Sequence, residues 1–220
     1  MMRKEKLNYG DIFYLKLDGF DKFIFGQILF DVEKQYFSLA IDQDEGSYFD
    51  VYEECHLVKM FKGIYDTNQL PKNLESLIDG VFVYRIDSRS NRLSWGKAGS
   101  AAIDYKTIEF PEIIGESNGS TKLLRGELHL DTTFRDADEF NTSWSAEYPE
   151  VLANECVCLQ DRKDLISGEH YSDSFKEMNL RNFPEQRIKV YNDLKIDSEK
   201  KYYELAKEMG FDLARFYNNE

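Results

Sequence analysis

"NYGDIFYLKLDGFDKFIFGQILFD", residues 8–31, reads as two β-strands joined by a tight turn, and the second strand decides the fold. In the first, Phe13, Leu15 and Leu17 alternate with Ile12, Tyr14 and Lys16, the two-residue period of a pleated strand. Asp18-Gly19 supplies a turn in which glycine takes positive φ. In the return strand Phe23, Phe25 and Leu29 alternate with Ile24, Ile28 and Phe30, so both faces are apolar. A strand with no polar face belongs in the middle of a sheet or in the wall of a small barrel. Gly26 interrupts it and predicts a bulge or a close crossing.

Outward from this hairpin, the pattern predicts strands over residues 36–41, 48–52 and 57–61, separated by acidic and glycine-containing turns. Leu74, Leu77 and Ile78 at helical spacing predict a short helix over 71–79, ended by Gly80. A strand over 80–87, a polar turn and Leu93-Ser94-Trp95-Gly96 follow. Gly115-Glu116-Ser117-Asn118-Gly119-Ser120 is the most linker-like stretch. It predicts a β-rich domain over 1–115 and an α+β region over 116–220, which can still belong to one globular unit. A further strand is expected over 122–130, with Leu124, Leu128 and Leu130 inward, whereas 131–177 carries no clear pattern. Helices are expected over 184–196 and 198–209, with Asp197 or Ser198 capping the second, Gly210 ending it and Asp212 opening a last turn. The fold class is α+β: a strongly bent antiparallel sheet or small barrel in the N-terminal half, with helices mainly at the C-terminal end.

Of the 220 residues, 42% are hydrophobic and 15% aromatic, a composition that favours β structure over disorder. A net charge of -13 disfavours direct nucleic-acid binding and suits encounter with a basic partner. Met1-Met2-Arg3-Lys4-Glu5-Lys6 is not followed by an apolar signal region, and no apolar run approaches the ~18 residues of a membrane span. A cytoplasmic location is therefore expected, with Cys55, Cys156 and Cys158 as free thiols.

Charge is distributed unevenly. Residues 31–56 hold eight acids (Asp31, Glu33, Asp42, Asp44, Glu45, Asp50, Glu53, Glu54) against Lys34 alone. Residues 127–155 repeat this, with Glu127, Asp131, Asp136, Asp138, Glu139, Glu147, Glu150 and Glu155 against Arg135. Tyr36, Tyr48, Phe49 and Tyr52 interleave with the first run, and Phe140, Trp144 and Tyr148 with the second. Acids beside exposed aromatics suit a binder of a basic cleft, since carboxylates steer and aromatics anchor. Asp42, Asp44, Glu45, Tyr48, Asp50, Asp136, Asp138, Glu139 and Trp144 are the candidate partner-binding residues. The competing reading is that both runs are solvated loops whose aromatics point into the core.

Chemistry-bearing constellations are sparse. Cys156-Val157-Cys158 lacks the second ligand pair of a zinc site, and in a strand both thiols would share a buried face. Cys55-His56 are adjacent, so in a strand they point apart and make no nucleophile pair. His129, Asp131 and His170, with Asp173 nearby, could hold a divalent metal, although a solvent-exposed His129 explains the same residues. Neither G-x-G-x-x-G nor G-x-x-x-x-G-K-[ST] occurs. No metal and no cofactor is expected.

Tyr9-Gly10-Asp11-Ile12-Phe13, followed by a turn and Phe25-Gly26-Gln27-Ile28-Leu29, resembles the opening of the immunity protein 26 family, a GD-[IV]-F strand and then a G-x-[VIL]-[LI] strand. Trp95-Gly96-Lys97-Ala98-Gly99, leading to Ile108-Glu109-Phe110-Pro111, resembles that family's later Trp-containing element. The resemblance covers the first half of the chain. It implies a bacterial protein that binds a cognate polymorphic toxin and neutralises it by occlusion, without catalytic residues. A basic, nuclease-type toxin domain is the partner that the acidic runs would suit. The alternatives are a metal-dependent hydrolase around His129, Asp131 and His170, and an assembly module that oligomerises through aromatic faces.

Overall fold

The opening hairpin forms as its alternation requires: β1 (Asp11–Lys16) and β2 (Phe23–Asp31) pair antiparallel from Ile12↔Gln27 to Lys16↔Phe23. β3 (Cys55–Phe61), β4 (Ser76–Tyr84) and β5 (Trp95–Ser100) complete an antiparallel sheet ordered β4-β3-β2-β1-β5. The strand with two apolar faces is the central one, buried along its length after Phe23. The structure is a computed structural model and describes residues 6–39, 47–117, 119–168 and 172–217. By its internal contacts the chain divides into two units. The first comprises Met1–Val32, Glu54–Ile103 and Ala146–Phe175, and the second Glu33–Glu53, Asp104–Ser145 and Lys176–Glu220.

In the first unit, Ile12, Phe25 and Phe61 cluster with Tyr14, Phe23, Tyr65 and Leu74 on one side of the sheet. Gly26 pairs regularly with Met60, and the bulge falls farther on, between Ile28 and Phe30. The glycine answers to a close crossing: a Cβ there would lie 2.6 Å from Met60 Sδ and from Phe13 Cζ. The helix expected over 71–79 does not form. Ser76–Asp79 instead open β4, pairing Phe61 with Ser76 and Met60 with Ile78, and Gly80 lies inside the strand. The open edge of β3 offers a ladder and an apolar face, which outweigh a weak local helical spacing. α1 (Pro149–Cys158) packs against β4, and Glu147, just before it, accepts Tyr84 N–H through its carbonyl. α2 (Ser172–Glu177) follows where the chain passes into the second unit.

The second unit contains β6 (Ile113–Ser117), β7 (Ser120–Arg125) and β8 (Leu128–Asp131) in that order across a small sheet. The stretch read as a linker is therefore a hairpin, and a division after residue 115 falls inside β6. The single strand expected over 122–130 is two strands, because Gly126, at φ +58°, turns the chain between Arg125 and Leu128. α3 (Pro184–Leu194) and α4 (Tyr202–Glu208) form near their expected positions, and Asp212 caps a final turn over Leu213–Phe216.

The strands expected over 36–41 and 48–52 are helical turns in their described parts, Val32–Tyr36, Phe37–Leu39 and Tyr48–Tyr52; residues 40 and 41 lie outside the described residues. Ser47 Oγ accepts Phe49 N–H to start the third turn. Helical spacing then sends Tyr48, Phe49 and Tyr52 inward, where Tyr36, Phe49, Phe110 and Tyr202 form a chain of ring contacts. An alternating strand would have sent only every second ring inward.

Candidate functional site

The two acid-rich runs separate by residue type. Tyr48, expected at a partner surface, is fully buried and donates its hydroxyl to Pro111 O at 2.8 Å, so it cannot anchor a partner. Asp50 and Glu53, from the same turn and its end, are exposed. Asp42, Asp44 and Glu45 lie outside the described residues.

In the second run Asp136 caps the turn Ala137–Glu139, its Oδ1 accepting Asp138 N–H at 2.9 Å, and Asp136, Asp138 and Glu139 are all exposed. Phe140 ends that turn and drops into the core beside Leu123 and Val190. Lys189 reaches back to Glu139 at 3.3 Å while lying over the Phe134 and Phe140 rings. Trp144 is half-buried and donates Nε1–H to Tyr48 O at 3.1 Å. Other acids of these runs point inward: Asp31, Glu147 and Glu155 are buried.

The residues weighed for a metal do not gather in the described part. His129 is half-buried rather than exposed, with Nε2 accepting Tyr48 N–H at 3.3 Å. Asp131 is exposed and engaged by Ser120 and Lys122. His170 and the Asp173 side chain lie outside the described residues, among which no group of three potential ligands is found. Cys156 and Cys158 sit on α1, not on a strand, so they do not share a face: Cys156 is fully buried and Cys158 half-buried. Burial pushes the Cys55 thiol up to about 12 and raises that of Cys156 further, which leaves both poor nucleophiles.

Two buried charge clusters escaped the sequence reading. In the first unit Arg85 grips Asp31 with two donors, at 2.9 and 3.0 Å, and gives Nε–H to Asp87 at 3.1 Å. His56, fully buried, brings Nε2 to 3.5 Å from Asp31 without hydrogen-bond geometry. Burial alone would raise the Asp31 carboxyl; His56 and Arg85 outweigh it and hold it well below the usual carboxylate range.

In the second unit Glu112, also fully buried, is surrounded by guanidinium groups. Arg187 donates to it at 2.7 and 3.1 Å, Arg181 at 2.9 Å, and Arg125 Nε stands 3.6 Å away. Glu109 takes Arg181 at 2.8 Å and Arg125 as well. Burial again opposes ionisation of Glu112, and the arginines reverse it, so the carboxyl stays below its ordinary value. The available signal was composition: Glu112 stands alone in Phe110-Pro111-Glu112-Ile113-Ile114, and Arg125 follows Leu123-Leu124. A lone charge in an apolar run implies a buried partner.

No protein-family model, curated protein or solved structure matches this chain. Among the described residues no helix is long and apolar enough to cross a membrane.

Proposed function

We propose that this protein is a cytoplasmic immunity protein that binds a cognate bacterial toxin and blocks it by occlusion, without catalysis. The observation that carries the reading is the outward display of carboxylates from turns whose aromatic neighbours are locked inside. Asp50 and Glu53 leave a turn held by buried Tyr48, Phe49 and Tyr52; Asp136 and Asp138 leave one held by buried Phe140. Carboxylates on anchored turns lose little freedom on binding, and they steer a basic partner before contact. Supporting it, residues 11–13, 25–29 and 95–99, which carry much of the resemblance to the immunity protein 26 family, fall on adjacent strands ordered β2, β1 and β5, whereas residues 108–111 lie outside that sheet. Because most of these aromatics are inward, charge rather than ring anchoring sets the encounter, with half-buried Trp144 and exposed Tyr148 as the aromatics left to contact a partner.

The reading expects a polymorphic toxin encoded beside this gene, and the test is co-expression with the toxin domain of such a neighbour. A purified complex, growth protection and association that slows with added salt are expected. Absence of both complex and protection overturns the proposal.

A further inference from the structure

A cleft of about 400 Å³ opens in the second unit at the start of α3, with Glu109, Arg181, Pro184, Arg187, Ile188, Glu199 and Lys200 on its walls. We propose that it binds the phosphate group of a small organic phosphate, a site separate from the acidic turns and independent of the toxin-binding reading.

The argument begins with unused donors. Arg181 commits Nε to Glu112 and Nη2 to Glu109, and among the described residues its Nη1 has no protein partner. Arg187 commits Nε and Nη2 to Glu112, with Nη2 also on Ser198 O at 2.6 Å. Its Nη1 has an ion-pair contact with Glu199, whose side chain is 87% exposed and 3.8 Å away, and the guanidinium lies over the Tyr191 ring at 4.6 Å. Lys200 adds an ammonium group that is paired with Glu208 among the described residues. Three cationic side chains thus reach one cleft with donor capacity left over, in a chain whose net charge is -13.

The ion pairs around the cleft do not cancel its cations. Arg125, Arg181 and Arg187 share two carboxylates, buried Glu112 and Glu109 on the wall, so the cluster itself carries one positive charge in excess. One buried carboxylate holds both wall arginines, so an incoming oxyanion meets pre-positioned guanidinium groups and little side-chain freedom is lost. Glu199 then acts as a loosely held internal anion that a ligand displaces. A phosphate dianion can accept from all three cations at once, whereas a carboxylate has two oxygens to offer. Pro184 and Ile188, the latter 55% exposed, give the body of the ligand an apolar wall. The volume lies within the ~300–1,000 Å³ of small-molecule sites.

The test is titration of the full chain with phenyl phosphate at constant ionic strength, read by calorimetry and by the arginine side-chain and residue 185–188 amide resonances. Saturable binding is expected, with inorganic phosphate competing more weakly because it lacks the apolar body. Lys200→Met, outside the Glu112 cluster, should weaken binding about ten-fold at unchanged melting temperature, as loss of one charge-assisted contact implies. Arg181→Met should do the same in folded protein, and Glu199→Gln should tighten binding several-fold. The proposal is overturned if phenyl phosphate up to ~10 mM gives no saturable shift at the cleft. It is equally overturned if Lys200→Met and Glu199→Gln leave the affinity unchanged, or if benzoate binds as well as phenyl phosphate.

Discussion

Replacing Gly26 by alanine tests the crossing at the centre of the first unit's sheet. Gly26 is extended, so alanine meets no backbone strain; in a strand it would ordinarily stabilise by about 0.5–1 kcal/mol, through lost freedom of the unfolded chain. Space decides the sign instead. The added Cβ would lie 2.6 Å from Met60 Sδ and from Phe13 Cζ, and 2.8 Å from Lys59 O. Met60 can swing aside, but Phe13 is fully buried and Lys59 O belongs to the backbone of β3. Relief therefore needs a shift between β2 and its neighbours, and overpacking of this kind costs about 1–3 kcal/mol. Gly26→Ala should lower stability by about that much in urea unfolding, and Gly26→Val by more. Met60→Ala combined with Gly26→Ala should be less damaging than the two costs added, with a coupling of about 0.5–1 kcal/mol or more. A Gly26→Ala protein as stable as the parent, or more so, would refute the close-crossing account of this glycine.

Glu112→Gln leaves three guanidinium groups facing a single carboxylate in a buried setting, and should cost about 3–5 kcal/mol in urea unfolding; a loss below about 1 kcal/mol would show the cluster to be solvated. Stability should also fall with acid. Burial lowers the pKa of His56 below its ordinary 6.5, so the unfolded chain takes up the proton first and stability is lost as pH drops below that value. Asp31 and Asp87, both held below 3.8, add a second loss only as pH falls under about that value, and Glu112, below 4.5, behaves likewise. Unfolding free energies that stay level from pH 7 to pH 5 would contradict the role given to His56. Asp138→Lys with Glu139→Lys, on the exposed turn but sparing its Asp136 cap, should leave melting nearly unchanged and slow association with the toxin domain more than it speeds dissociation; stopped-flow binding that is indifferent to the change would remove this turn from the interface.

Sequence by itself determined the elements whose period and punctuation agree. The two-sided apolar run of β2 required a central strand, and Pro184 with the spacing that follows it required α3. The N-terminal cap of the last turn, Asp212, was legible for the same reason: the signal is local, carried by one side chain and the next amide groups. Where local signals are weak, tertiary structure decided. Residues 76–79 took the strand that β3's edge offered, and the aromatic turn at Tyr48–Tyr52 coiled because that puts three rings inside. The direction of Tyr48, read as a surface anchor, follows from that turn and from no property of the residue.

The charged residues divide in the same way. Composition showed how many acids there are and where they crowd, but not which would be buried. Glu112 and Arg125 are 13 positions apart in the chain, and Arg181 and Arg187 come more than fifty residues later. They become one cluster only when β7 and α3 close around Glu112, because a buried charge needs partners that just the folded chain can bring within reach.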